Sequence, residues 1–286
     1  MARSACKTRV IALAAAVALV AAAASGCGAS STVDPVADAA QVTGLTRGAQ
    51  VSMTLTMTLP TGQTVMTPGV GAFDFRGRRG RLSFDFSSLS SLTGGRLGGA
   101  HPTLRELIVY PDIYMRAPFL TKSLPGGKQW LKIDVQAAAR RLTGVDPTQL
   151  SMQNGPGDQL QQLRAASAAH VVGRDVVRGV ATTHYHGTVD LRRLPDRLPA
   201  AQRAAARQGI DRLIALTGSS SYPVDVWVDA HRRILRERQS MSLKVNGQRV
   251  QMTIAMDLFD YGTQVAVTPP PASQVFDATS AVPAAG

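Results

Sequence analysis

The feature that most limits the possible folds is a strict alternation of apolar and polar residues at positions 51–59. Successive side chains of a β-strand point to opposite faces, so this pattern is typical of a strand with one buried face. The same alternation returns on both sides of residues 77–80, where Gly, Arg, Arg and Gly predict a hairpin turn. The apolar members of these three strands are Val51, Met53, Leu55, Met57, Leu59, Phe73, Phe75, Leu82, Phe84 and Phe86.

Alternating segments recur as far as residue 259, and turn-forming residues join them. Asn-Gly at positions 246–247, between strands predicted at 234–245 and 249–259, is the strongest short hairpin signal. About eleven strands in consecutive hairpins predict one large antiparallel sheet, which curls into a half-barrel because wide twisted sheets do not stay flat. Helices are predicted at 135–142, 158–169 and 195–216.

The pattern therefore predicts an α+β fold in which a few helices cover the concave face of the curled sheet. One face of an antiparallel sheet can remain in water, whereas an apolar face must be covered. Because few helices are predicted for so wide a sheet, we expect an apolar cleft between the helices and the sheet.

The first 26 residues have the organisation of a secretory signal peptide, with basic residues before an unbroken apolar run at 10–24. The following Ser25, Gly26 and Cys27 resemble the bacterial lipobox, in which the cysteine is acylated and becomes the first residue of the mature chain. The lipobox usually carries Leu where this chain has Ala24. An uncleaved anchor is the alternative, but the apolar run is short for a membrane span of ~20 residues. We expect a lipid anchor at Cys27 that holds the protein on the extracytoplasmic face of the cell membrane.

Cysteine content and charge narrow the possible functions. Cys6 leaves with the signal peptide, so the mature chain keeps only Cys27 and has no thiol for a disulfide, for catalysis or for a metal. Removal of Arg3, Lys7 and Arg9 takes the formal net charge from +12 to +9, since residues 1–26 contain no acidic residue. A basic exported protein can meet anionic lipid headgroups, although high genomic GC content also enriches arginine. Export argues against nucleic acid as a partner.

The chain is predicted to have four parts. Residues 1–26 form the lipoprotein signal peptide, and residues 27–46, which are rich in small residues without periodicity, form a flexible tether. Residues 47–271 form one folded domain. Residues 272–286 follow three consecutive prolines and are predicted to be a disordered tail.

Few residues of the sequence suggest catalysis or metal binding. His184 and His186 lie on one face of a predicted strand and could begin a metal site, for which Asp190 would be the third ligand. The favoured interpretation is a polar outer strand face. No metalloprotease helix, nucleophile elbow or phosphate-binding loop occurs in the sequence. We therefore expect no catalytic residue, no metal and no cofactor.

The order of several motifs resembles one group of proteins. The motifs are GKQWLKID at 127–134 before a helix, GVATTHY at 179–185, VDVWVD at 224–229 before an Arg-rich strand, and DYG at 260–262 before the prolines. With the lipobox, they resemble the actinobacterial LppX/LprG-type lipoproteins, relatives of the periplasmic carrier LolA, over residues 51–271. The resemblance implies a half-barrel that encloses a lipid-binding cavity and carries acylated lipids or lipoproteins across the envelope. Its implied partners are an acylated lipid or glycolipid and an envelope transporter.

Residues at the apolar positions of the strands would line such a cavity. The predicted lining residues are Leu55, Met57, Phe84, Met252 and Ile254. Alternation determines which residues share a face, but it does not determine which face is concave. Methionine is flexible and suits surfaces that repack around variable apolar ligands, although ordinary core packing is the alternative for each one. The methionines predicted to face mostly inward are Met53, Met57, Met66, Met115, Met241, Met252 and Met256.

The sequence is compatible with two functions. The first is a lipid-binding or lipid-transfer lipoprotein. The second is a non-enzymatic envelope lipoprotein whose curved sheet docks another protein or acts as a signalling module. A hydrolase is disfavoured, because the sequence carries none of the usual motifs.

Overall fold

The computed structural model describes residues 35–143, 166–197, 200–245 and 248–281. Within them, twelve strands form one sheet in the order β12-β6-β5-β4-β3-β2-β1-β11-β10-β9-β8-β7. All neighbouring strands pair antiparallel except β12, which runs parallel to β6. The strands are β1 Ala49–Thr58, β2 Thr64–Asp74, β3 Arg79–Asp85, β4 Thr103–Val109, β5 Asp112–Arg116, β6 Trp130–Asp134, β7 Ala166–Val177, β8 Val180–Asp190, β9 Ser221–Asp229, β10 Ile234–Val245, β11 Gln248–Phe259 and β12 Val275–Asp277.

The helices of the described residues are short apart from one. They are α1 Pro35–Gly44, α2 Ser87–Leu92, α3 Pro118–Thr121, α4 Val135–Thr143 and α5 Ala200–Thr217, with 3₁₀ turns at Pro125–Gly127, Leu191–Arg197, Ala272–Gln274 and Thr279–Ala281. No helix in these ranges is long and apolar enough to span a membrane. The predicted α+β fold, a large curled antiparallel sheet with a few helices, is confirmed.

The register of the strands sorts their residues onto two faces. Val51 pairs with both Leu258 and Gly71, and Gly71 pairs with Leu82. These residues share the core face, on which α1 and α5 pack. Their sequence neighbours, such as Arg81, lie on the outer face. The buried core contains Val36, Ala39, Ala40, Val51, Phe73, Phe75, Leu82, Ala206, Ile210, Val224, Val226, Ile234, Met256 and Leu258, among others.

The prediction of a flexible tether at 27–46 is wrong for residues 35–44, which form α1. Val36, Ala39, Ala40 and Thr43 recur at helical spacing and are at most 1% exposed. Their small side chains let the helix approach the sheet closely, and the Thr43 hydroxyl accepts a hydrogen bond of 2.9 Å from the Ile234 N–H. A composition typical of a linker is here the composition of a close-packed helix.

The prediction of a disordered tail at 272–286 is wrong for residues 272–281. β12 pairs parallel with β6 at the edge of the sheet, where Val275 lies opposite Trp130. The Lys132 Nζ lies 2.8 Å from an Asp277 carboxylate oxygen, and the Lys128 Nζ donates to the Ser273 carbonyl over 2.6 Å. These long-range contacts order a segment whose composition suggests disorder.

The helix predictions have mixed outcomes. The helix at 135–142 is confirmed as α4, and the helix at 195–216 is confirmed from Ala200 onward as α5. The helix predicted at 158–169 is wrong at its end, because residues 166–169 belong to β7. The signal peptide, Cys27, residues 158–165, the Asn-Gly turn at 246–247 and residues 282–286 lie outside the described residues.

Two glycines of the core face lie under phenylalanine rings. Gly80 pairs with Phe73, and Gly69 pairs with Phe84. A Cβ atom at Gly80 would lie 2.3 Å from a ring carbon of Phe73, and one at Gly69 would lie 2.5 Å from a ring carbon of Phe84. Each ring therefore covers the backbone of the glycine opposite to it, an arrangement that also helps to set strand register.

We expect Gly80→Ala to lower the free energy of unfolding by about 1–3 kcal/mol, because the added methyl group overpacks against Phe73, which is 2% exposed. Gly173→Ala on β7 is the matched control, since no atom lies within 4 Å of the position of its Cβ. The control should change stability by less than about 0.5 kcal/mol. Chemical denaturation measures both variants, and equal losses would contradict the role of the Phe73 ring.

Candidate functional site

The core face is buried to different extents at its two ends. Near α1, residues such as Val51, Met256 and Leu258 are 1% exposed. Toward the opposite ends of the strands, many apolar side chains of the same face are only half-buried, although Val65, opposite Met57, is 1% exposed. We call this surface the apolar cleft. Its residues, on strands from β6 to β10 in sheet order, are Met53, Leu55, Met57, Phe84, Leu104, Met115, Leu131, Met241, Met252 and Ile254.

The structure places all five predicted lining residues on this face. Leu55 lies opposite Ile254, and Met57 lies opposite Met252, so these four form two adjacent cross-strand pairs. Phe84 lies on β3, two strands from β1, which is roughly 10 Å away at the usual strand spacing. All five are half-buried. Contact of these residues with a ligand stays a prediction.

The methionines are concentrated on the cleft, with two exceptions. Met53, Met57, Met115, Met241 and Met252 belong to the cleft residues. The exceptions are Met256, which is fully buried in the core, and Met66, which pairs with Thr56 on the outer face and is 53% exposed. The cleft is therefore lined by side chains that can repack at low cost around apolar ligands of varied shape.

Polar side chains on the core face were not predicted. Glu106 pairs with Leu82 and Met115, and Glu237 pairs with Met256. Two neutral polar residues, Gln239 opposite Ile254 and Thr67 opposite Leu55, are also buried. The only sign of them in the sequence is an acidic or amide residue where the alternating pattern of a strand calls for an apolar one. Such a residue looks like an ordinary irregularity of the pattern.

Burial perturbs both carboxyl groups. It raises the pKa of Glu237 to about 7 and that of Glu106 to about 7, because the charged form loses its hydration. Glu237 is 3% exposed, and its Oε2 has no hydrogen-bond partner within the described part of the chain. In mildly acidic conditions both groups are neutral and can donate a hydrogen bond within an apolar surface.

The raised pKa of Glu237 predicts how stability depends on pH. The ordinary glutamate value of 4.5 applies to the unfolded chain, so the folded protein holds the proton more tightly between pH 4.5 and 7. The free energy of unfolding should therefore fall as pH rises through this window, by about 3 kcal/mol for this one group. We expect Glu237→Gln to reduce the difference in unfolding free energy between pH 5 and pH 8, measured in urea, by about 3 kcal/mol, and the part due to Glu106 to remain.

Asp196→Asn is the control for this comparison, because the Asp196 side chain is 56% exposed in its ion pair with Arg207. The control should keep the wild-type difference between the two pH values. A Glu237→Gln variant that keeps the same difference would show that the Glu237 carboxyl is hydrated or ion-paired in solution.

The two predicted histidines belong to a separate cluster on the outer face. His184 Nε2 and His186 Nδ1 lie 3.0 and 2.9 Å from the same carboxylate oxygen of Asp225. The His184 ring stacks on Trp227 at 4.2 Å, and the Trp227 indole donates to Asp175 over 3.0 Å.

This cluster differs from the metal site that the sequence allowed. Asp190 accepts a hydrogen bond from the Arg192 N–H instead of lying with the two imidazoles. Among the described residues, no group of three His, Cys, Asp or Glu side chains is arranged to hold a metal ion. Both imidazoles contact Asp225 on the neighbouring strand. This arrangement is that of a polar outer strand face.

Comparisons with known proteins give distant similarities. No protein-family model matches the chain. The chain is 29% identical over 260 residues to an uncharacterized 31.2 kDa protein of the rplA–rplJ intergenic region of Streptomyces griseus, which covers 86% of this chain and 80% of that protein.

Similar solved structures include two mycobacterial lipoproteins. LprF from Mycobacterium bovis is 16% identical with a TM-score of 0.39, over 82% of this chain and 95% of that one. LppX from Mycobacterium tuberculosis is 10% identical with a TM-score of 0.44, over 82% and 96%. A LolA superfamily protein from Nitrosomonas europaea is 10% identical with a TM-score of 0.30, over 79% and 92%.

Proposed function

We propose that this protein is a membrane-anchored extracytoplasmic lipoprotein that binds acylated lipids in the apolar cleft and carries them across the cell envelope. The observation that carries the proposal is the half-buried state of the cleft residues. A sheet that packs a solid core buries its apolar face fully, as this sheet does around Val51 and Leu258. The cleft instead keeps apolar area available to a ligand.

The chemistry of the cleft suits an acyl chain. Each methylene transferred from water to an apolar site contributes about 0.8 kcal/mol, so a sixteen-carbon chain represents on the order of 12 kcal/mol before ordering costs. The flexible methionines accommodate chains of different length and saturation. Binding of this kind needs no catalytic group.

The polar side chains of the core face suit a lipid that has a polar part. Glu106 lies one strand from Phe84 and beside Met115, while Gln239 lies beside Ile254. A neutral glutamic acid and an amide can hydrogen-bond an ester carbonyl or a sugar hydroxyl in an apolar environment. This favours an acylated lipid or glycolipid over a plain hydrocarbon.

A lipid anchor at Cys27 would keep the domain close to the membrane. α1 begins at Pro35, eight residues after Cys27. Eight extended residues span at most about 28 Å, so the domain would remain near the headgroups. Transfer across the envelope would then need a partner, for which an envelope transporter is the natural candidate.

We expect Cys27→Ser to release the protein from the membrane fraction or to stall its processing, because the acylated thiol is lost. Two or more acyl chains anchor a protein firmly, whereas the mature chain alone has only its charge to hold it. Cys6→Ser is the control and should not change fractionation. Unchanged membrane retention of Cys27→Ser, with normal cleavage after Gly26, would refute the lipid anchor.

We expect Met57→Trp and Ile254→Trp to block uptake of a fluorescent acyl lipid while leaving thermal stability nearly unchanged. A cleft accommodates added volume that a packed core rejects. Met66→Trp is the matched control, because Met66 lies on the outer face and is 53% exposed; it should bind lipid like the wild type. Lost thermal stability would mean that Met57 and Ile254 pack a solid core, and wild-type uptake would mean that lipid binds elsewhere.

A second candidate function, docking of another protein, is favoured by the edge of the sheet. β7 is the last strand in sheet order, and Val171, Val172 and Val176 on it are 60%, 55% and 62% exposed. An apolar edge strand can pair with an extended segment of a partner. Native mass spectrometry of gently extracted protein separates the two functions, since co-purifying lipid masses support the carrier and a clean apo mass favours docking.

A further inference from the structure

The outer face carries a groove of about 590 Å³ that is separate from the apolar cleft. Its outer-face apolar residues are Val70, Leu107, Trp130 and Phe259, and its cations are Arg81 and Arg105. Val51 and Leu82 of the core face also line it. Register places the first six on the outer face. Arg81 pairs with Leu107, Ser83 pairs with both Val70 and Arg105, and Phe259 lies opposite Gln50, whose partner Ala72 pairs with Arg81. Trp130 precedes Leu131, which pairs with Met115 on the core face.

The arginines of this region have no anionic partner among the described residues. Arg105 and Arg116 lie directly opposite each other on β4 and β5, where like charges destabilise a sheet. Within the described part of the chain, neither they nor Arg81 form an ion pair. Arg116 instead lies over the Trp130 ring, with 6.0 Å between its guanidinium carbon and the ring centroid.

Other outer-face arginines differ in this respect, since Arg236 is ion-paired whereas the exposed Arg238 forms no ion pair among the described residues. Arg236 binds both carboxylate oxygens of Asp257 at 2.6 and 2.8 Å. A second pocket of about 460 Å³ adjoins the groove and is lined by Arg105 and Arg116 together with His101 and Thr103; none of its described lining residues is acidic. Within the described lining of the 590 Å³ groove, Glu106 is the one acidic residue, and it pairs with Leu82 on the core face. The region therefore has an uncompensated positive charge that an anionic ligand would neutralise.

The apolar residues beside these arginines determine the class of the ligand. Val70 is 62% exposed, and Leu107, Trp130 and Phe259 are half-buried. A free inorganic anion would gain nothing from this surface, whereas an anionic amphiphile would use both parts. Guanidinium groups bind phosphate in bidentate geometry, and the groove volume is that of a site for one small molecule.

We propose that this groove binds one anionic phospholipid, with its phosphate held by Arg105, Arg116 and Arg81 and the start of an acyl chain lying along Leu107 and Trp130. The site is independent of the apolar cleft, because neighbouring residues of β4 alternate between the two faces. It gives the domain a selective contact with anionic lipids, on the face that the cargo does not use.

The test uses the acylated full-length protein in nanodiscs of phosphatidylcholine, titrated with a short-chain phosphatidylglycerol that carries bromine on its acyl chains. Bromine quenches nearby tryptophan, and the sequence has only Trp130 and Trp227. Trp227 lies on β9, eight positions from β6 in the strand order. Subtraction of the signal of Trp130→Phe isolates the groove. We expect saturable quenching of Trp130 by phosphatidylglycerol and none by the phosphatidylcholine analogue.

Arg105→Gln/Arg116→Gln should raise the Kd at least tenfold without lowering the melting temperature, because it also removes a like-charge pair. Arg238→Gln/Arg249→Gln is the matched control, since both arginines are exposed on the outer face of β10 and β11; its Kd should change less than twofold. Equal weakening in both double variants, equal quenching by the zwitterionic lipid, or displacement by inorganic phosphate at concentrations equal to the lipid would each overturn the proposal.

Discussion

The architecture depends on a difference in width. The apolar face of the sheet is much wider than the described helices that pack on it. Twelve strands about 4.8 Å apart make a sheet roughly 55 Å wide before curling. A helix with its side chains is about 10 Å across. Among the described residues, α1 and α5 pack on one end of the core face, and many apolar residues beyond them are half-buried. The apolar cleft corresponds to this difference in burial.

The fully buried end of the core face explains why the fold can tolerate half-buried apolar residues at the other end. Val51, Ile234, Met256 and Leu258 are fully buried with α1, and the Thr43 hydroxyl satisfies the backbone N–H of Ile234. This end provides the close packing that holds the strands in register. The same strands then continue into the cleft, where Met57 and Met252 are half-buried. Close packing and partly exposed apolar surface thus lie at different ends of the same strands.

Much of this arrangement could be predicted from the sequence, because its cause is local. Alternation alone placed Leu55, Met57, Met252 and Ile254 on equivalent faces, and the structure pairs them directly across β1 and β11. Features that depend on long-range register could not be predicted. The opposition of Arg105 and Arg116 exists only once β4 and β5 pair. Likewise, residues 35–44 are ordered by the sheet beneath them, and residues 275–277 by the free edge of β6.

The same dependence on register allows one strand to serve two surfaces. On β4, Glu106 belongs to the core face, while its neighbours Arg105 and Leu107 belong to the outer groove. A substitution at one of these positions changes the chemistry of one face and leaves the side chains of the other in place. The two faces share only the backbone, so a ligand on one can influence the other through curvature of the sheet but not through competition for side chains. An open sheet thereby keeps the apolar cleft and the outer groove chemically independent, which a closed, solid core of the same width could not do.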